Sequence, residues 1–198
     1  MLNKMKGKTK KGNYKQIWKF IKESRNYFYL VLGLFIVSIL IGYIFPVFFS
    51  DFIKKFIEEI VKKTEGLKNW QLFIFILQNN LQTAFLGLIF GILFGILPLI
   101  LILFNGYVLG FVANKTVAIA GSGVLIRLLP HGIFEIPAII LSFGLGLRLG
   151  MFIFKKSGQR KKEFMYSFGN SMKTFLYVII PLLIIAALIE TWLIVILK

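Results

Sequence analysis

The chain has 198 residues, short for more than one domain, and 58% of them are hydrophobic, with a mean hydropathy of +0.81. Soluble domains hold about 45–50% apolar residues, so the composition excludes an ordinary water-soluble fold and makes lipid the solvent for most of the chain. The net charge is +16, from 24 Lys and Arg against eight acidic residues. The basic residues clump at the ends of apolar segments, which points to lipid headgroups and away from nucleic acid, and the absence of cysteine excludes disulfides and thiolate metal sites.

Residues 1–27 read as a basic cytoplasmic leader with nine Lys and Arg. The apolar segment after it is of full spanning length and has no small-residue cleavage site, so the leader is expected to be retained rather than removed as a signal peptide. Residues 28–198 form a single helical membrane domain. The first span is expected at about 28–49, ending near Pro46. From Ser50 to about Thr64, Phe52, Ile53, Phe56, Ile57, Ile60 and Val61 recur at helical spacing, with Lys and Glu opposite them. Such a helix lies on the membrane surface rather than crossing it, and Trp70 suits an interface anchor.

The next apolar run exceeds one crossing. Its polar break at Gln78-Asn79-Asn80 suggests an interfacial helix followed by a span at about 81–104. Asn105-Gly106 is a turn signal, so a third, shorter span is expected at about 107–120. Gly121-Ser122-Gly123 and Pro130 break the chain before a fourth span at about 131–154. A charged loop begins at Lys155, an interfacial stretch follows, and the last span falls at about 175–197. The expected fold is all-α and polytopic, with about five transmembrane helices and interfacial amphipathic helices.

Five crossings put the leader and the loop from Lys155 to Lys162, which carries five Lys and Arg, on one side. By the bias of basic residues toward the cytoplasm that side is the cytoplasm. The Ser50 helix, whose lysines are nearly balanced by Asp51, Glu58, Glu59 and Glu65, and the C-terminus then lie outside the plasma membrane. A re-entrant 107–129 segment would place the Lys155 loop outside, against that bias.

Gly87, Gly91 and Gly95 stand at four-residue spacing, and Gly106–Gly110 and Gly146–Gly150 repeat the step. In lipid, small residues let helix backbones approach closely. These seams pack either the single chain or a homo-oligomer, with a dimer the favoured assembly.

The only histidine, His131, and Glu135 lie one turn apart in PHGIFEIP. Proline needs no amide hydrogen at a first helical position, so Pro130 suits a helix start. Pro137 leaves the Ile133 carbonyl without its usual bond. A carboxylate in hydrocarbon costs a few kcal/mol unless it is paired or protonated. Arg127, His131, Asn79 and Asn80 are its candidate partners, and Glu190, deep in the last span, is a further member of this polar intramembrane cluster. Arg148 either pairs with Glu190 or snorkels to the interface. Three roles fit the cluster: a structural clasp between helices, a proton or ion path, and a catalytic or metal site. The third is disfavoured, because one His and one Glu at this spacing are too few ligands and HExxH is absent. No cofactor and no enzymatic activity are expected.

Asn79-Asn80, a glycine-spaced span with Pro98, NGYVLG from Asn105 to Gly110, PHGIFEIPA from Pro130 to Ala138 and GLGLRLG from Gly144 to Gly150 occur in this order. The pattern resembles the stage II sporulation protein M family of integral membrane proteins, best over residues 77–150. The resemblance implies five spans. It matches Asn80, Asn105, Gly106, Gly110, Pro130, His131, Gly132, Glu135 and Pro137 to family positions, none catalytic. The family's namesake is a membrane scaffold that recruits peptidoglycan-degrading proteins at the septum. The resemblance therefore implies a non-enzymatic membrane scaffold or interaction protein. The alternative is a small transporter or channel with a polar path through His131, Glu135 and Glu190.

Overall fold

The structure, a computed structural model, describes residues 6–93 and 95–196, with side chains over residues 14–93, 95–123 and 132–196. Among the described residues eight α-helices follow one another: α1 (Lys6–Glu23), α2 (Arg25–Ile44), α3 (Ser50–Thr64), α4 (Asn69–Ile89), α5 (Ile96–Ala120), α6 (Leu125–Gly150), α7 (Ser157–Thr174) and α8 (Ile180–Ile196). There is no strand among the described residues. Five stretches are long and apolar enough to cross a membrane: Arg25–Ile44, Asn69–Ile92, Ile96–Ala120, Gly132–Phe154 and Ser157–Ile196. The protein is an all-α, polytopic membrane protein.

The helix boundaries correct the sequence reading in four places. The second span starts at Asn69 and ends at Ile92, not at 81–104, because Gln78, Asn79 and Asn80 continue α4 instead of interrupting it. The chain turns at Gly91–Gly95, where a short 3₁₀ turn (Phe90–Ile92) leads to Gly95 at φ +70°, a conformation that glycine adopts without strain. Asn105-Gly106 is not a turn at all. Asn105 donates its side-chain amide to the Leu101 carbonyl one turn back, at 2.8 Å, so α5 runs unbroken from Ile96 to Ala120. Pro98 fits in the first turn of α5, where no helical amide bond is lost. In the last span, the stretch expected at the interface is helical and continuous with α8 through a π-helical turn, Phe175–Ile179. Pro181 has no amide to return to Tyr177, which accounts for the widened turn. The helix α6 likewise begins at Leu125 rather than at Pro130.

Glycine sets the packing. The helices α2 and α5 lie side by side and parallel, since contacts step forward along both. A Cβ on Gly106 would stand 2.8 Å from the Phe35 carbonyl oxygen, and one on Gly110 would fall on the Ile39 carbonyl. Gly42 returns the contact against the Tyr107 carbonyl. The Ser38 hydroxyl donates to the Leu103 carbonyl and the Asn114 amide to the Tyr43 carbonyl. A second parallel pair, α4 with α6, repeats the device. Ser142 donates to the Ala84 carbonyl at 2.5 Å. Beyond it Gly146 abuts Gly87, Gly91 abuts Gly146, and Gly150 abuts Gly91 and Gly95. The Gly87, Gly91 and Gly95 seam is thus spent within the chain, on α6.

At the centre stands α6, with 61% of its span buried against 22–33% for the other four. It contacts α2, α4, α5 and α8. Phe20, Ala84, Leu88, Ala138, Leu145, Ile179 and Leu183 form one buried cluster, and Val31, Phe35, Ile102, Phe143 and Leu147 belong to another. The outer side of α2 (Leu30, Ile36, Val37, Leu40, Ile44) is exposed to what would be lipid. Trp70 and Trp192 are exposed at the α3 end of the bundle and Trp18 at the α1 end, where indole rings sit at membrane–water interfaces.

Candidate functional site

The amphipathic α3 lies over the end of the bundle where α4 begins. Its entry is fixed by Tyr107 of α5, whose hydroxyl bonds the Phe45 and Phe48 carbonyls at 2.8 and 2.9 Å. Phe52 and Phe56 of α3 meet Phe104 edge to face, and Ile53 is fully buried. Ile53 therefore anchors α3 on the bundle, while Phe52, Phe56 and Val61 of its apolar face stay largely exposed.

Beneath α3 is a cavity of about 520 Å³. Four of the residues expected in a polar intramembrane cluster line it: Asn79 and Asn80 from α4, Glu135 from α6 and Glu190 from α8. Their meeting follows from the packing just described. Parallel α4 and α6 present Asn80 about one turn, and Glu135 about two turns, before the Ala84–Ser142 contact. The last span then brings Glu190 back to the same end. Thr64 and Glu65 contribute polar groups at the α3 edge, and Leu72, Phe75, Ile76 and Ile194 form apolar wall. Asn80 and Glu135 are buried, at 5% and 8% exposure. Glu190 is half-buried and Asn79 exposed. The side chains of Arg127, Pro130 and His131 lie outside the described residues; their backbones are in the first turns of α6.

The remaining motif residues serve elsewhere. Asn105 borders a separate cavity of about 190 Å³ with Phe56 and Thr83. Gly106 and Gly110 meet α2. Among the described residues a Cβ on Gly132 would meet Ile136 of its own helix, at 3.0 Å, and Pro137 is exposed. Among the described residues, no group of three or more His, Cys, Asp or Glu is placed to hold a metal ion.

A second polar cluster, at the opposite end, involves Arg148. It pairs with Glu23 of the leader helix rather than with Glu190. Its guanidinium lies 3.4 Å from the Glu23 carboxylate, donates to the Ser24 hydroxyl at 2.6 Å and to the Phe20 carbonyl at 3.3 Å, and sits over the Phe20 ring at 4.1 Å. Tyr166 of α7 donates to the same Glu23 carboxylate at 3.0 Å. The basic leader is therefore docked on the bundle. The sequence offered only one signal of this, an arginine near the end of an apolar span. Its acidic partner stood more than a hundred residues away.

Four spanning helices around a fifth, buried central one, with polar residues gathered at both ends, define a polytopic helical membrane protein. The chain belongs to the Stage II sporulation protein M family, whose model matches residues 31–193. An uncharacterized protein of Methanocaldococcus jannaschii is 31% identical over 189 residues, covering 89% of this chain and 85% of that protein. No solved structure matches the chain.

Proposed function

We propose that the protein is a non-enzymatic membrane scaffold of the sporulation protein M type. It sits in the plasma membrane with its N-terminus in the cytoplasm and its C-terminus outside. The observation that carries this reading is where the polar cavity stops. Past Asn80 and Glu135, α4 and α6 touch backbone to backbone from Ala84–Ser142 to Gly91–Gly146. Buried Leu88, Leu145, Ile179 and Leu183 fill the space toward α8. A conducting path would need polar or hydrated surface there. A rigid body with a single-ended polar site suits holding partners in place. Orientation rests on the basic leader and the Lys155–Lys162 segment sharing one end. A dimer, the assembly favoured from the glycine spacing, would use faces other than Gly87, Gly91, Gly106 and Gly110, which are occupied within the chain.

Glu135 separates scaffold from transporter. Replacing it with Gln keeps shape and hydrogen-bonding ends; replacing it with Leu leaves its partner buried and unpaired. For a scaffold, Glu135→Gln stays within about 1 kcal/mol of the parent and Glu135→Leu loses about 1–3 kcal/mol, and proteoliposomes of all three proteins show no proton or ion flux. Flux through the parent that Glu135→Gln abolishes without lowering Tm overturns the reading in favour of transport.

A further inference from the structure

The docked leader helix α1 has faces of different chemistry. Ile17, Phe20 and Ser24 recur at helical spacing and are buried. Next to them around the helix run Tyr14, Trp18 and Ile21, of which Tyr14 is 58% and Trp18 61% exposed. Beyond these, Lys15, Lys19 and Lys22 form a third stripe, and all three are exposed. Gln16 and Glu23 complete the turn and meet Lys173 and Tyr166 of α7. The aromatic stripe therefore lies between the buried face and the lysines. The Lys22 ammonium stands 5.7 Å from the centre of the Trp18 ring, over its face.

The position of α1 decides what these stripes meet. The helices α1 and α7 run antiparallel, with Glu23 beside Tyr166 and Gln16 beside Lys173. Further on, Tyr14 meets Tyr177 edge to face, with ring centroids 6.0 Å apart. Tyr177 belongs to the π-helical turn of the last span, and Phe175 of that turn packs on Phe85 of α4. The Tyr14 end of α1 thus reaches the depth of the spanning helices, where the exposed flank of the bundle faces lipid. Trp and Tyr rings favour the membrane–water interface, and lysines beside them extend their ammonium groups to the phosphates. A nucleic acid would match the lysines but cannot follow Tyr14 to the level of Tyr177. Charge then selects among lipids. The leader carries nine Lys and Arg and the Lys155–Lys162 segment five, while the acidic residues of this end are Glu23 and Glu163. Glu23 is engaged by Arg148 and Tyr166. Such an excess attracts anionic headgroups over zwitterionic ones. We propose that α1 is a binding surface for anionic phospholipid, with Tyr14, Trp18 and Ile21 against the upper acyl chains and Lys15, Lys19 and Lys22 on the headgroup phosphates. This inference goes beyond the scaffold reading, does not depend on it, and holds for either orientation of the chain.

The test uses the full chain with Trp70→Phe and Trp192→Phe, which leaves Trp18 as its one indole. The protein is placed in phosphatidylcholine nanodiscs that carry a graded fraction of either phosphatidylglycerol or phosphatidylcholine with brominated chains, which quench an indole they touch. Both lipids should quench Trp18, and the relative affinity for phosphatidylglycerol should be about fivefold higher. That preference should shrink in about 0.5 M NaCl, where exposed charges are screened. Lys15→Gln, Lys19→Gln and Lys22→Gln combined should remove it without lowering Tm, and the three corresponding Arg substitutions should keep it. If the double Trp variant fails to fold, the difference between the parent and Trp18→Phe supplies the same reading. No quenching by either lipid, equal affinity for the two, or a preference retained by the triple Gln variant overturns the proposal. So does a single-stranded oligonucleotide that displaces the brominated phosphatidylglycerol from Trp18, which would assign the lysines to nucleic acid.

Discussion

Single residues in lipid are legible when they are expensive. Asn79, Asn80, Glu135 and Glu190 stood out because polar groups inside apolar runs must find company, and the structure gathers all four around one cavity. Arg148 was equally visible, but its role was not, because nothing in its own segment named the leader helix as its partner. Its side chain is 10% exposed, that of Glu23 36%, so the pair is partly screened and weaker than a fully buried one. Arg148→Met keeps the stem against Phe20 and removes the guanidinium. Ser24 and the Phe20 carbonyl then lose a donor while Glu23 keeps that of Tyr166, and stability should fall by about 1–3 kcal/mol. The same substitution should loosen α1. Limited trypsin digestion should cleave at Lys15, Lys19 or Lys22 markedly faster than in the parent, and an unchanged cleavage rate would show that the other contacts of α1, with Tyr166 and Tyr177 among them, hold the leader.

At the scale of elements, apolar length gave the number of spans correctly and glycine misled about their ends. Gly87, Gly91 and Gly95 look like one helical face. The structure uses the first two for close approach and the last for a left-handed turn. Asn105-Gly106 looks like a turn because that dipeptide usually makes one in water. In a buried helix the same two residues do different work, a bond back along the helix and a contact with α2. Hydropathy alone cannot separate these uses, since both put small and polar residues in an apolar run. The seam itself makes a sharp prediction. Any side chain at Gly91 would overlap the Gly146 backbone, which cannot give way as a rotamer could. Gly91→Leu should therefore lower Tm by 10 °C or more or abolish expression. Gly33→Leu, at a position with nothing within 4 Å, should be tolerated in the same host. Equal yields and melting temperatures for the two variants would mean that α4 and α6 do not meet there.

For the whole molecule the open quantity is orientation. The five spans place α3 and Lys68 at one end of the bundle and the Lys155–Lys162 segment at the other, with α1. The chain has no cysteine, so single cysteines report without background. Cysteine introduced at Ser157 and at Lys68 should react with a membrane-impermeant maleimide from opposite faces, Lys68 in intact cells and Ser157 only after lysis. Labelling of both in intact cells would end the five-span arrangement. The reverse pattern would keep the fold and invert its placement.

The two parallel pairs also govern the order in which the protein can come into being. The partner of α2 is α5, and the partner of α4 is α6. When α2 enters the bilayer, the backbone that Gly42 and Ser38 are shaped to meet has not yet been synthesised. The helix must wait through the insertion of α3 and α4, its close-packing surface facing lipid, until α5 arrives. The helix α4 waits in turn for α6. No hairpin of neighbouring spans can therefore lock early. The first half of the chain is a set of unfinished interfaces during biogenesis, and the central α6 closes the second glycine seam when it inserts.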